Sequence, residues 1–115
     1  NLKYIQQIYL VNKIESAFSI TPIIIDSQDL LQNPKNILKK LCAKCNIPFY
    51  NKMLSWPKGA RKTDGIWGKY WYAKVENSTH FSPYIKNNNT LPLQYKKIFL
   101  ECMDYYAKLY EKRMK

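Results

Sequence analysis

Histidine occurs once in this sequence, arginine only at Arg61 and Arg113, and the three glycines fall within one short stretch. Each scarcity excludes something. The lone His80 has no nucleophile or orienting carboxylate at a recognisable spacing, so a surface or capping role fits it better than general-base work. The few arginines leave the chain short of the bidentate donors on which dedicated phosphate and base readers rely. No GxxxxGKS/T loop, GxGxxG turn or GxSxG elbow occurs, so this stretch by itself shows no complete catalytic site. Three cysteines make no disulfide framework, which points to a reducing compartment, with the cytoplasm as the expected location. The spacing Cys42-Ala-Lys-Cys45 lies near a helix end, not at the helix start that activates redox thiols. A zinc site would have to recruit Cys102 and His80, so core cysteines are expected. Apolar runs such as Ile23–Ile25 and Ile98–Leu100 are far shorter than the roughly 18 residues of a membrane span, and no membrane partner is expected.

Lysine and apolar residues are abundant. The 115 residues carry 19 basic and 8 acidic side chains, a formal charge of +11, and are 46% hydrophobic and 15% aromatic. That composition excludes a disordered chain and allows one modest core. The charge suits an anionic partner, but the lysines are spread along the whole chain, and a solvated basic surface explains most of it.

Residues 2–18 read as an amphipathic helix, with Tyr4, Ile8, Val11, Ile14 and Phe18 stepping by three and four. Within 22–26, Ile23-Ile24-Ile25 has the β-branched pattern of a short strand buried on both faces. Asn33-Pro34 opens a helix over 34–46, with Ile37, Leu38, Leu41, Cys42 and Cys45 on one side. A loop fills 50–90. A last helix over 92–113 carries Tyr95, Phe99, Cys102, Tyr106 and Leu109 on its stripe. Helix, buried strand, helix is the signature of a parallel α/β layer. One strand makes no sheet, so the others are expected from sequence absent here or from a partner chain. The Asn1 start likewise reads as a piece of a longer or processed chain.

All three glycines (Gly59, Gly65, Gly68) and all three tryptophans (Trp56, Trp67, Trp71) lie between 56 and 71, together with Arg61, Lys62 and Lys69. Periodicity fails across this window. Glycine permits close backbone approach, cations supply charge and indoles stack on flat rings. The segment therefore suits a loop closing over a phosphorylated aromatic ligand such as an adenine nucleotide. The competing reading is a structural loop whose tryptophans plug the space between helices. Asn77-Ser78-Thr79 matches a glycosylation acceptor, which carries no meaning in a cytoplasmic chain.

Ile23-Ile24-Ile25-Asp26-Ser27-Gln28-Asp29-Leu30-Leu31, followed by Asn33-Pro34 and Cys45-Asn46-Ile47-Pro48-Phe49, resembles the late strand and helix of P-loop sulfotransferases. Met53-Leu54-Ser55-Trp56-Pro57, Asp64-Gly65-Ile66-Trp67, Trp71-Tyr72-Ala73 and the closing Glu101-Cys102 to Tyr110 resemble a bacterial branch of that family, sometimes labelled branched-chain aminotransferase in genomes. The resemblance covers nearly the whole chain. It implies the carboxy-terminal half of a parallel sheet flanked by helices, related to nucleotide kinases, mostly helical within this stretch. The implied cofactor is 3′-phosphoadenosine 5′-phosphosulfate, and the implied chemistry is sulfuryl transfer to a small-molecule alcohol or amine. In the family an Arg-Lys-Gly, two variable residues, Gly-Asp-Trp-Lys segment holds the 3′-phosphate. Arg61, Lys62 and Lys69 match its positions, Thr63 replaces its first Gly, and Gly65 and Trp67 align with a shift of one residue. Ser27 stands where many cytosolic members carry a Tyr near the adenine. The phosphate-cradling loop, its lysine and the usual base belong to an amino-terminal half not present in this sequence, so the segment alone is expected to be inactive. A related P-loop phosphotransferase, an inactive nucleotide-binding member, and a basic nucleic-acid-binding domain stacking on Trp67 and Trp71 are the alternatives.

Overall fold

A computed structural model describes residues 3–115; Leu2, where the first helix was expected to start, lies outside them. The described residues are mostly helical and divide into two compact units: unit one comprises the chain up to Asp26 together with Ile85–Lys115, and unit two is Ser27–Tyr84.

In unit one, α1 (Tyr4–Phe18) packs against α6 (Lys96–Glu111). The buried side of α1 follows the spacing of its sequence: Val11 is buried, with Tyr4, Ile8 and Ile14 half-buried beside it, while Phe18 at the end of the stripe is 69% exposed. α6 answers with Cys102, Tyr105, Tyr106 and Leu109, one helical face at steps of three and one. Its first turns, bearing Tyr95, Ile98, Phe99 and Leu100, are exposed. A short 3₁₀ turn, Leu93–Tyr95, follows extended Pro92, so α6 begins four residues later than the sequence pattern suggests. Lys112 Nζ reaches Glu15 Oε2 at 2.6 Å and ties the two helices at their ends.

The strand expected over 22–26 is a correction. Those residues carry no regular secondary structure, no strand ladder exists among the described residues, and the pairing present is an isolated antiparallel bridge between Ser55 and His80. The physical reason is local: a strand is defined by neighbours that take its backbone groups, and here the bond made by the segment's backbone is the Ile24 carbonyl accepting the Met114 N–H at 2.8 Å. Ile23 is exposed, not buried on both faces. Tyr106 anchors the end of the segment by donating to Asp26 Oδ2 at 2.8 Å. Tyr4 meets the Tyr106 ring edge-on at 6.4 Å.

Unit two starts with α2 (Ser27–Gln32) and α3 (Pro34–Lys44). Asn33 caps α3, its Oδ1 accepting the Asn36 N–H at 3.3 Å, and Pro34 takes the first position, where a missing N–H costs nothing. Ile37 and Cys42 are buried. Cys42 Sγ lies 3.9 Å from Met53 Sδ on a 3₁₀ turn, Asn51–Leu54, which packs on α3. Cys45 departs from the expected core: it sits at the C-cap, past the last residue of α3, and is exposed. The expected loop over 50–90 departs as well, holding that 3₁₀ turn and two one-turn helices, α4 (Gly68–Trp71) and α5 (Ala73–Glu76). Four residues are too few for periodicity to show.

Burial first, then the hydrogen bond to Asp26 and its charge, push the Tyr106 hydroxyl up to about 12. A raised folded-state value means that this contribution to stability is complete below the ordinary tyrosine value near 10 and is lost as pH climbs through 12. Tyr106→Phe should cost about 1–2 kcal/mol in urea unfolding near neutral pH. The gap to the parent should close between those two values; a gap independent of pH would contradict the assignment.

Candidate functional site

The residues from 59 to 76 form a knot of turns. The Arg61 N–H donates to Asp64 Oδ2 at 2.8 Å and the Asp64 N–H donates back to the Arg61 carbonyl at 3.0 Å, closing the turn Arg61-Lys62-Thr63-Asp64 from both sides. The Gly68 N–H donates to the Gly65 carbonyl at 2.8 Å and launches α4, and the Tyr72 N–H to the Gly68 carbonyl at 2.9 Å ends it. Gly68 is favoured by contact: a Cβ there would stand 3.2 Å from the Asp64 Cβ, so the turn would have to give by a few tenths of an ångström. Gly59 is required by conformation, with φ at +114°, and its N–H donates to the Glu76 carbonyl at 2.8 Å.

These turns enclose a cavity of about 100 Å³ lined by Gly59, Arg61, Asp64, Tyr72, Val75 and Glu76. Of the six residues singled out in the sequence, Arg61 alone lines it. Lys62 and Thr63 sit on the exposed turn, Gly65 precedes α4, and Trp67 stands before α4, 64% exposed and 6.4 Å from the Tyr70 ring. Lys69 Nζ rests 4.8 Å from the Tyr70 ring centroid, a contact of about 0.5–1 kcal/mol at an exposed site. The guanidinium of Arg61 and the ammonium of Lys62 make no hydrogen bond or ion pair among the described residues. Asp64 and Glu76 were not singled out. The signal for Asp64 was its place three residues after Arg61, where a carboxylate closes a turn onto a backbone N–H.

Elsewhere, Arg113 is committed: its guanidinium lies 3.4 Å from the Tyr110 ring centroid and donates to the Tyr110 carbonyl at 2.8 Å. No cluster of His, Cys, Asp or Glu able to hold a metal occurs among the described residues, and none of their helices is long and apolar enough to cross a membrane.

A sequence profile described as a sulfotransferase domain matches residues 7–112. The chain belongs to the sulfotransferase domain family. Over 85 residues, 74% of its length, this sulfotransferase-family chain is 36% identical to branched-chain-amino-acid aminotransferase-like protein 2 of Arabidopsis thaliana. It is 35% identical over the same span to aminotransferase-like protein 1 of that plant. The match spans 15% of each relative's length. No solved structure matches the chain.

Asp64→Ala should release the Arg61 amide. One hydrogen bond of about 1 kcal/mol corresponds to roughly fivefold faster hydrogen exchange at that amide, with α3 amides unaffected. Unchanged Arg61 protection would mean that the turn does not rest on the carboxylate.

Proposed function

We propose that this chain supplies the 3′-phosphate-binding segment of an enzyme that transfers a sulfuryl group from 3′-phosphoadenosine 5′-phosphosulfate to an alcohol or amine. Family membership supports the transferase reading, and the uncommitted Arg61 and Lys62 heads, in the segment where the resemblance puts the clamp, carry its cofactor part. The cofactor would bring the activated sulfuryl group and leave as adenosine 3′,5′-bisphosphate.

The fit of the residues to a phosphate is specific in one respect. The 100 Å³ cavity is lined by Asp64 and Glu76 as well as by Arg61, so a phosphate seated within it would face two acidic residues. We therefore place the phosphate on the exposed side of the 61–64 turn, held by the Arg61 and Lys62 heads, with Lys69 adding charge and Trp67 open for stacking. Asp64 keeps the turn closed so that the two cations project together. The phosphate-cradling loop, its lysine and the catalytic base we assign to another part of the same protein, which would also supply the strands that pair with 22–26. A small-molecule acceptor completes the set.

Calorimetry of the full-length protein with adenosine 3′,5′-bisphosphate and with ATP tests the reading. Arg61→Ala should weaken the bisphosphate by roughly 10- to 100-fold, the loss of a charge-assisted contact, and Arg113→Ala by far less. Preference for ATP would favour a related phosphotransferase, and equal effects of the two substitutions would remove Arg61 from the site.

A further inference from the structure

Arg61 is the one cation among the residues that line the 100 Å³ cavity; Lys58, Lys62 and Lys74, close to it in sequence, are not among them. Two acidic residues share the lining, and they differ in what they already hold. Asp64 spends Oδ2 on the Arg61 N–H at 2.8 Å. The Glu76 carboxylate makes no hydrogen bond or ion pair among the described residues, although the residue is half-buried. The backbone limits how far Glu76 and Arg61 can stand apart. The Gly59 N–H donates to the Glu76 carbonyl at 2.8 Å, and Arg61 follows Gly59 by two residues, a chain length of at most about 7 Å. Arginine carries its fork on a long methylene stem, so a gap of that size leaves the Glu76 carboxylate within its reach. The hollow itself corresponds to about three waters of liquid volume, space for a guanidinium and far too little for a nucleotide.

The Arg61 head therefore has two competing uses. Turned to the exposed rim, it grips a phosphate as proposed above. Turned inward, it meets Glu76, whose carboxylate matches the planar fork of a guanidinium in the same bidentate way. One head cannot serve both. In the structure it pairs with no acid among the described residues, so no ion pair of the protein fixes it at the rim.

We infer that Glu76 is a built-in competitor for the Arg61 guanidinium and loosens the phosphate clamp by holding that head inward for part of the time. The inference rests on the sulfuryl-transfer reading for the ligand, and on the residues of the cavity for the competition. When a ligand needs the open form, its apparent affinity falls by the fraction of molecules that are open. The same factor applies to the donor and to the adenosine 3′,5′-bisphosphate left after transfer. Its use lies in turnover, because product held less tightly leaves sooner and product release limits many enzymes. A carboxylate that merely stood near the clamp would repel the phosphate without involving Arg61, and a double-mutant cycle separates the two cases.

The test is calorimetry of the full-length protein with adenosine 3′,5′-bisphosphate, on the parent, Glu76→Gln, Arg61→Ala and the double variant. Glu76→Gln keeps the backbone carbonyl that accepts from Gly59 and removes the charge. It should tighten the bisphosphate about two- to fivefold, the range of an exposed ion pair, and the gain should vanish in the Arg61→Ala background. A folding defect has the opposite sign, since it would weaken binding. No gain from Glu76→Gln, or the same gain with and without Arg61, overturns the inference while leaving the bisphosphate site in place. If the parent binds no bisphosphate, the sulfuryl-transfer reading falls, and the competition is decided in the free protein by hydrogen exchange at Arg61 Nε. Exchange about two- to fivefold faster in Glu76→Gln upholds the pairing, and unchanged exchange overturns it.

Discussion

The second unit depends on where one indole sits. Trp56 donates through its backbone to Thr79 and through Nε1 to Ser78, and its ring meets Phe81 edge-on with centroids 5.3 Å apart. Joining residues 22 positions apart costs about 2.7 kcal/mol in loop-closure entropy by logarithmic scaling, before any constant. Two net hydrogen bonds of about 1 kcal/mol each and an aromatic pair of about 0.5–1.5 kcal/mol are together of the same size as that cost. The clasp therefore holds as a set, since the loss of any one contact leaves the closure uncompensated. Ser78 Oγ then donates to the Val75 carbonyl at 2.7 Å, and Gly59 binds the Glu76 carbonyl, so both bonds fix the C-terminal end of α5.

A four-residue helix has no stability of its own, because nucleation costs more than one turn of bonds returns. What keeps α5 in place is its ends: Glu76 N–H on the Tyr72 carbonyl at 2.7 Å, Asn77 N–H and Nδ2 both on the Ala73 carbonyl. This explains why the short helices of this segment could not be read from the sequence. Periodicity needs a window of about 11–18 residues, whereas α4 and α5 are set by turns and by a contact 22 residues away. The run Asn77-Ser78-Thr79 looked like a modification motif, and its role as an anchor appears only once Trp56 is placed against it.

Longer elements were legible because their causes are local. Asn33 and Pro34 announce α3 through capping and a fixed φ, and the three-four stripe of α1 carries its buried side in its own spacing. The strand at 22–26 is the instructive miss. Three isoleucines state a preference for extended backbone; what they cannot state is the neighbour, and among the described residues Ile24 finds the Met114 N–H beyond a helix end instead of a strand. The cationic loop was legible as a cluster but not as a geometry, for neither composition nor spacing says that Asp64 and Glu76 share a wall with Arg61.

That shared wall decides how charge works in the second unit. Residues 27–84 carry ten cationic side chains and three carboxylates, Asp29, Asp64 and Glu76. In a stretch so rich in lysine, ion pairing would be the simplest use of a carboxylate, yet Asp64 spends an oxygen on a backbone N–H, and the nearby guanidinium pairs with neither carboxylate among the described residues. The Asp64 carboxylate shapes the turn and leaves the Arg61 and Lys62 heads without an ion pair among the described residues. On the proposed reading an anion would sit at the exposed rim, within a Debye length of about 8 Å of Arg61 and Lys62, and not in the cavity beside Asp64 and Glu76. Exposed charges of this kind add little to stability. On the proposed reading they would serve instead to attract a ligand with several negative charges, a pull that ion pairing with Asp64 or Glu76 would have cancelled.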